Sequence, residues 1–286
     1  MKVRKNPLLA LASCAAVALV GLTGCSSAED TDSRSGSTDV AGAAFPRTVE
    51  HAMGSTEIPR APKRVVALDT SYSDAVLLLE SDLVGYVTYR TPTLPDYLGD
   101  ARATHAKDAV PVGELTTPSL ETIAELRPDL IVSAKVRHAA LYDQLAKIAP
   151  TIMSETTGPT WKDNIRLLGA ALGKEDLAER KIDAYQDRAA AVGADINAKA
   201  NAPTVSVVRF AGEPTARIYR TTSFSGIVLA DAGLARPASA APDPAKASSI
   251  SNDISPELIP EADADLIVVS PTSPAATRWP TRPGPS

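Results

Sequence analysis

The feature that most constrains the fold is a helix-to-strand block that occurs twice in the chain. Residues 119–132 have the sequence SLETIAELRPDLIV, and residues 255–268 have the sequence SPELIPEADADLIV. At one fixed offset the blocks share the leading serine, three helix positions and the closing run Asp-Leu-Ile-Val. A serine before a helix with a glutamate in its first turn is typical of a capped helix, and the apolar run predicts a strand. Any helix-to-strand unit tends toward this pattern, but the shared positions favour one structural unit used in two lobes.

Short β-branched runs alternate with amphipathic stretches from about residue 60 onward. The predicted strands cover residues 64–68, 83–87, 129–133, 151–153, 204–210, 217–219 and 265–269, with a strand end at 111–113. The predicted helices cover residues 73–80, 119–126, 139–147, 161–200 with an interruption near Gly173, 224–232 and 256–262. Repeated strand–helix–strand order favours a parallel or mixed sheet. We therefore expect an α/β fold with two lobes, each built on a sheet and joined by a long helix.

The first residues predict an exported lipoprotein. Basic side chains among the first five positions precede the apolar run 8–22, which suits a signal peptide and is short for a membrane span. The run ends in Leu22-Thr23-Gly24-Cys25, which resembles the lipobox of bacterial lipoproteins. That resemblance implies cleavage before Cys25 and two acyl chains on its sulfur, which suffice for stable anchoring. The alternative is an ordinary secretory signal with a chance cysteine. We expect the protein on the outer face of the cytoplasmic membrane.

The chain is expected to divide into six segments. These are a signal peptide at 1–24, a lipid-anchored tether leading into the fold at 25–59, an N-terminal α/β lobe at 60–160, inter-lobe helices at 161–200, a partial C-terminal α/β lobe at 201–270 and a disordered tail at 271–286. The tail is rich in Pro, Thr, Ser and Arg and shows no helical or strand period. Because it follows a strand that should lead into another helix, its composition predicts a frameshift or a shortened reading frame. The second lobe would then be incomplete, with an open sheet edge, and the receptor could be inactive.

Composition argues against several classes of function. The formal net charge of −5 makes an exported protein a poor candidate for binding nucleic acid. Signal cleavage removes Cys14, so Cys25 is the one remaining cysteine and no disulfide is expected. The three histidines, His51, His105 and His138, are scattered, so neither a resident metal nor a cofactor is expected. No nucleophile elbow, phosphate loop or dinucleotide-binding turn occurs, and we expect no enzymatic activity.

Several separated blocks resemble the substrate-binding proteins of iron–siderophore ABC importers. Besides the lipobox, they are Arg64–Leu68, Ser119–Ser133, Ile148–Thr151, Trp161–Leu168 and Val207–Phe210. The resemblance covers roughly residues 45–270 and is closest to the branch that takes up ferric hydroxamates such as ferrioxamines. It implies a class III periplasmic-binding-protein-like fold, in which two lobes on a rigid helix hold the ligand between them. The implied partners are a ferric siderophore, the importer permease and, through the lipid anchor, the membrane. The alternative ligand is haem or a corrinoid. We expect the protein to be a monomer.

Candidate ligand contacts follow the predicted strands, because ligands of such proteins lie at strand carboxyl ends. The loops there carry Tyr72, Tyr89, Arg90, Arg137, Trp161, Arg209, Tyr219 and Arg220. A guanidinium group can donate several hydrogen bonds to the oxygens around a chelated iron, and aromatic rings can cover an apolar linker. An arginine at such a position could also be a solvated surface residue, and Trp161 could simply cap the inter-lobe helix.

The family resemblance assigns roles within this set. It implies that Arg90, Arg137 and Arg209 bind ligand oxygens. It further implies aromatic walls, formed by Trp161, Tyr89 and Tyr219.

Glu121 and Glu257 occupy equivalent places in the repeated block. The resemblance implies that one glutamate on each lobe faces arginines of the permease, where a charge pair would set orientation and association rate. The alternative is that each one complements a helix N-terminus.

Overall fold

The computed structural model of the protein describes residues 45–210 and 215–271. Its first element is an antiparallel hairpin of two strands, β1 (Arg47–His51) and β2 (Gly54–Ile58). The sequence pattern predicts no strands before residue 64. Each hairpin strand buries a single side chain, so it lacks the alternation of apolar residues that marks a half-buried strand.

The first lobe is built on a six-stranded sheet. Its strands are β3 (Val65–Ala67), β4 (Leu83–Thr88), β5 (Val110–Glu114), β6 (Thr117–Pro118), β7 (Leu130–Ala134) and β8 (Thr151–Ser154). Their order is β6-β5-β4-β3-β7-β8, and every neighbouring pair is parallel except β5 and β6. Strands β3 and β7 are buried along their whole length, as expected for parallel strands covered on both faces. The prediction of a parallel or mixed α/β sheet is confirmed.

Five short helices accompany this sheet. They are α1 (Thr70–Leu78), α2 (Gly99–His105), α3 (Leu120–Glu125), α4 (Lys135–His138) and α5 (Tyr142–Leu145), with 3₁₀ turns at Asp96–Leu98 and Ala139–Leu141. The prediction of one helix over 139–147 is wrong, because over a single turn the spacing of apolar residues does not distinguish a 3₁₀ turn from an α-helical one. Helix α2 was not predicted, because its sequence GDARATH contains no large apolar residue.

Two helices join the lobes, α6 (Trp161–Leu172) and α7 (Glu175–Ala200). Between them Gly173 ends α6 in the left-handed conformation, with φ of 68°. A residue without Cβ adopts this conformation without strain. The predicted helical segment with an interruption near Gly173 is confirmed.

The second lobe contains a four-stranded mixed sheet and one α-helix. Its elements are β9 (Val205–Phe210), β10 (Ala216–Tyr219), α8 (Phe224–Asp231), β11 (Ser251–Ile254) and β12 (Leu266–Pro271). The order is β11-β10-β9-β12, in which β9 and β12 are parallel and the other pairs antiparallel. Further 3₁₀ helices lie at Gly158–Thr160, Ala238–Ala240, Pro244–Lys246 and Pro256–Ala262.

The repeated block folds differently in its two copies. In the first copy, the Ser119 hydroxyl accepts a hydrogen bond from the Thr122 amide at 3.2 Å and caps α3. In the second copy the helix is a 3₁₀ helix, and Ser255 makes no side-chain capping bond to it. The prediction of a capped α-helix there is wrong, because Pro260 inside the segment has no N–H for an α-helical hydrogen bond. Both copies nevertheless lead into a strand that pairs in parallel, β7 with β3 and β12 with β9.

Among the described residues, strand β12 forms one edge of the second sheet. Its Leu266, Ile267 and Val268 are 47%, 48% and 52% exposed. Alternate residues of a strand point to opposite faces, so apolar side chains are exposed on both sides of this edge. The incomplete second lobe stays a prediction.

The buried apolar side chains form three clusters. Val65 and Val132 belong to one cluster and Val66 and Ile131 to another, which places these two clusters on opposite faces of the first sheet. A smaller cluster around Ile218 forms the core of the second lobe. The first lobe therefore has the more extensive core.

Candidate ligand-binding site

Three charged residues follow three neighbouring parallel strands of the first sheet. Arg90 follows β4, Asp69 follows β3 and Arg137 follows β7, and these strands are adjacent in the order β4-β3-β7. The carboxyl ends of parallel strands meet at one edge, which is where ligands of open α/β sheets bind. Asp69 therefore stands between two arginines in the strand order at this edge.

Arg137 is held by Asp69. Its Nε donates a hydrogen bond to Asp69 Oδ2 at 3.0 Å, and the two side chains are 39% and 4% exposed. Asp69 Oδ1 accepts hydrogen bonds from the Ser71 amide at 3.0 Å and the Ser71 hydroxyl at 2.7 Å, which caps α1. Within the part of the chain that the structure describes, Arg137 makes no other side-chain hydrogen bond. Its two terminal nitrogens can therefore donate to a ligand.

The residue after Arg137 is fixed as well. His138 is buried, its Nε2 donates to the Leu115 carbonyl at 2.8 Å, and its Nδ1 accepts from the Ser133 hydroxyl at 2.8 Å. The carbonyl can only accept, which assigns the proton to Nε2. Burial lowers the pKa of His138, so the neutral imidazole is favoured. These bonds fix the backbone that carries Arg137.

Arg90 has an unusual backbone conformation. Its φ is 62°, in the left-handed region. The other described residues with positive φ that are not glycine all follow helices, at Glu80, Arg127, Asn201 and Ala202, where this conformation ends a helix. Arg90 instead follows a strand, and its guanidinium lies 5.2 Å from the ring centroid of the half-exposed Tyr89. Strained conformations of this kind concentrate at functional sites.

The second lobe presents a further group of polar side chains. Arg209 Nη1 donates to Tyr219 Oη at 3.3 Å. Arg209 on β9 lies directly opposite Arg217 on β10, so both arginines and Tyr219 share one face of the sheet. Arg217 pairs with Asp253 at 3.4 Å. The structure thus brings together two of the predicted ligand contacts, Arg209 and Tyr219.

Arg220 does not face a cleft, and the prediction that its loop presents it to the ligand is wrong. Its side chain is fully buried, and Nε donates to Asn252 Oδ1 at 2.7 Å. Nη1 donates to the carbonyls of Lys246 and Ser249 at 2.6 and 3.1 Å. Because successive side chains alternate between faces of a strand, the residue after Tyr219 points into the lobe. Arg220 therefore anchors a loop of the second lobe.

A cavity of about 500 Å³ lies among helices α1, α2, α6, α7 and α8. Five of its fourteen lining residues are aromatic and most of the others are aliphatic, and we call it the aromatic cavity. Trp161 makes edge-to-face contacts with Tyr185 and Phe224, at centroid distances of 4.7 and 6.1 Å. The cavity also reaches the buried Tyr72 and the half-buried Asp74, and partial burial raises the pKa of the Asp74 carboxyl. Trp161 and Tyr72 line this cavity, whereas the other residues that the resemblance assigns to the ligand do not: Arg90, Arg137, Arg209, Tyr89 and Tyr219. The space suits an apolar part of a ligand.

Sequence reasoning missed Asp69, Tyr185 and Phe224 as site residues. An aspartate directly after a predicted strand and before a helix is a capping signal, which could have identified Asp69. Tyr185 and Phe224 lie on helices at positions that resemble ordinary packing positions. Their place in the cavity depends on how α7 and α8 pack, and no local signal gives it.

The two glutamates predicted to contact the permease are both exposed. Glu121 lies in the first turn of α3, and Glu257 lies in the first turn of the corresponding 3₁₀ helix. A hydrogen bond from the Ser255 side chain lowers the pKa of Glu257. Cys25, the predicted site of lipid attachment, lies outside the described residues.

Two features are absent from the described residues, 45–210 and 215–271. These residues include no group of three or more His, Cys, Asp or Glu residues placed to hold a metal ion. None of their helices combines the length and apolar character needed to cross a membrane.

The protein has two α/β lobes joined by helices, polar groups at strand ends and an aromatic cavity between helices. This combination defines a ligand-binding receptor. Residues 65–280 match the family model for periplasmic binding proteins. The chain belongs to that family, whose members are binding proteins and not enzymes.

Individual relatives give a finer comparison. The chain is 38% identical over 257 residues to the probable siderophore-binding lipoprotein YfiY of Bacillus subtilis, covering 88% of this chain and 75% of YfiY. It is 29% identical over 203 residues to the Fe(3+) dicitrate-binding periplasmic protein FecB of Escherichia coli, covering 69% of this chain and 65% of FecB. The structure of Staphylococcus aureus SirA complexed with staphyloferrin B matches with a TM-score of 0.69 and 36% identity, covering 81% of this chain and 78% of SirA.

These matches confirm the predicted resemblance to siderophore-binding proteins and the two-lobed class III fold. The hydroxamate branch stays a prediction.

Proposed function

We propose that this protein is a lipid-anchored receptor that binds a ferric siderophore outside the cytoplasmic membrane and delivers it to an ABC importer permease. The observation that carries the proposal is the placement of Arg90 and Arg137 after β4 and β7, the two parallel strands that flank β3, in a chain 36% identical to a siderophore-bound protein. Both guanidinium groups can donate to the oxygens that surround a chelated iron. The chelator already fills the coordination sphere of the iron, so no protein ligand to the metal is needed.

The remaining predicted contacts complete the proposed site. Arg209 and Tyr219 would contribute from the second lobe, where they already share a hydrogen bond. Tyr89 would cover an apolar part of the ligand beside Arg90, and Trp161 would do so at the aromatic cavity.

The ligand is proposed to be a ferric hydroxamate, as the sequence resemblance implies. A second candidate is a ferric complex of a carboxylate chelator. The three arginines of the proposed site favour a negatively charged complex, because guanidinium groups bind carboxylates through paired hydrogen bonds. A relative named for Fe(3+) dicitrate points the same way.

Calorimetric titration distinguishes these ligands. The protein would be titrated with ferrioxamine, ferrichrome, ferric citrate, a ferric catecholate, haem and a corrinoid, each siderophore also in its iron-free form. Binding of an iron-loaded siderophore, weakened by R90A and by R137A, would support the proposal. Binding of haem or the corrinoid alone would replace it, and binding of none would refute it.

Delivery to the permease is proposed to use Glu121 and Glu257. Glu125 and Glu261 provide a matched control, because both are exposed and they occupy equivalent places in the two copies of the repeat. We expect E121A/E257A to lower siderophore-dependent iron uptake by cells while leaving ligand affinity unchanged. We expect E125A/E261A to leave both unchanged, and equal uptake by the two double variants would contradict the docking role.

The lipid anchor is proposed to be attached to Cys25. Mass spectrometry of the membrane-bound protein should show a diacylglyceryl group on an N-terminal Cys25. A C25A chain should lack this group, and a wild-type chain whose Cys25 carries no lipid would contradict the proposal.

A further inference from the structure

We propose that Asp69 is a positioning residue for siderophore binding, which holds Arg137 so that the terminal nitrogens of its guanidinium face the ligand. This inference rests on the proposed function and adds a residue that does not itself bind the ligand.

The geometry of the ion pair carries the inference. Asp69 accepts from Nε of Arg137, the side edge of the guanidinium, at 3.0 Å. A carboxylate that paired with the two terminal nitrogens would occupy the donors a ligand needs, but this arrangement leaves them available. With an exposure of 3%, Asp69 has little surface that could contact a ligand. Its effect on binding must therefore act through Arg137.

The carboxylate of Asp69 is itself fixed. Oδ1 accepts from both the amide and the hydroxyl of Ser71, so the side chain is tied to the first turn of α1. A carboxylate held in this way keeps the orientation of its second oxygen, and with it the plane of the guanidinium.

The backbone of Arg137 is restrained from two further sides. His138 bonds to Ser133 and to the Leu115 carbonyl, both at 2.8 Å. On the other side, the Val136 amide donates to the Glu155 carbonyl at 3.2 Å. Because both ends of the arginine are held before any ligand arrives, little side-chain freedom is lost on binding, which is the advantage of preorganisation.

Substitution D69N separates positioning from helix capping. Asparagine can still accept the Ser71 amide and cap α1, but an amide nitrogen in place of Oδ2 cannot accept from Arg137 Nε. We expect D69N to weaken binding of the ferric siderophore about tenfold and to melt close to the wild-type temperature. The matched control is E155Q, which removes the exposed Lys135–Glu155 ion pair of 3.0 Å in the same segment. E155Q is expected to bind like the wild type.

A double-mutant cycle tests whether the effect passes through Arg137. In an R137M background D69N should cause no further loss of affinity, whereas an equal loss in both backgrounds would mean a general structural effect and would overturn the inference. Wild-type affinity in D69N would also overturn it while leaving the proposed receptor function intact. Failure of the wild type to bind any siderophore would instead refute the proposed function, and this inference with it.

A measurement without ligand covers the case in which D69N does not fold. The Nε–H resonance of Arg137 in the ligand-free wild type should be protected from exchange with water, because Asp69 accepts its proton. Rapid exchange there would overturn the inference.

Discussion

Lys162 Nζ lies 2.6 Å from Asp231 Oδ1, and this ion pair joins the inter-lobe helix α6 to α8 of the second lobe. Tyr185 of α7 donates to the other carboxylate oxygen at 3.1 Å, so one carboxylate connects three helices. The side chains of Lys162 and Asp231 are only 18% and 15% exposed. The second lobe is thus attached to the joining helices by a largely buried polar contact beside the aromatic cavity.

We expect D231N to lower the free energy of unfolding by about 2 kcal/mol, because it leaves the Lys162 ammonium without its charged acceptor in a largely buried place. Thermal and urea unfolding would measure this. The control is K199Q, which breaks the exposed Lys199–Asp195 pair of α7 and should change stability by less than about 0.5 kcal/mol. Equal effects of the two substitutions would contradict the importance of the three-helix contact.

Helix α8 also lies against α7 at Gly193. A Cβ at this position would be 1.6 Å from the Ala232 carbonyl oxygen, and a backbone atom cannot move aside without shifting α8. We expect G193A to destabilise the protein by about 2 kcal/mol, as overpacking does in cores, although alanine has the higher helix propensity. A194S on the exposed side of α7 should stay within about 0.5 kcal/mol of the wild type. A stabilised G193A would show that the two helices are not in close contact.

Stability should fall as the pH is lowered below about 6.5, the ordinary pKa of histidine. Burial lowers the pKa of His138, and it does the same for His51. Between the lowered pKa values and about 6.5, the unfolded chain binds more protons than the folded one, so acid favours unfolding. Urea unfolding between about pH 8 and pH 5 would measure the slope, which should be shallower in an H51Q/H138Q double variant. An unchanged slope in that variant would contradict this assignment.

The left-handed conformation of Arg90 predicts that the backbone at position 90 is strained for any residue with a Cβ. R90G should be more stable than R90A by about 1 kcal/mol, because glycine relieves the strain that alanine retains. Both variants lack the guanidinium and should lose ferric siderophore affinity equally. The two variants control for each other, and an R90A as stable as R90G would indicate that position 90 is not strained in solution.

Most strands of the first sheet were predictable because strands buried on both faces are continuous apolar runs, as in β3 and β7, whereas the two-residue strand β6 was not. The hairpin at residues 47–58 and helix α2 were not, since neither carries a local apolar period. The second copy of the repeat shows a different limit. Its similarity to the first copy predicts an α-helix, yet Pro260 converts the segment to a 3₁₀ helix.

The ends of the predicted strands located part of the candidate site from the sequence alone. Arg90 and Arg137 follow strands and lie at the expected edge, whereas Arg220 also follows a strand and is buried. Strand register decides which face of the sheet a side chain points to, and pairing with the neighbouring strands sets that register. The contact between Asp69 and Arg137 joins residues far apart in sequence, so it required the fold.

The position of Trp161 gives the protein an intrinsic optical reporter. The chain contains two tryptophans, and the second, Trp279, lies outside the described residues. In a W279F chain, all indole fluorescence would arise from a ring that touches Tyr185 and Phe224 at the meeting point of three helices. Emission from that single ring would respond to rearrangement among those helices and to quenching by a nearby ferric complex, without any attached dye.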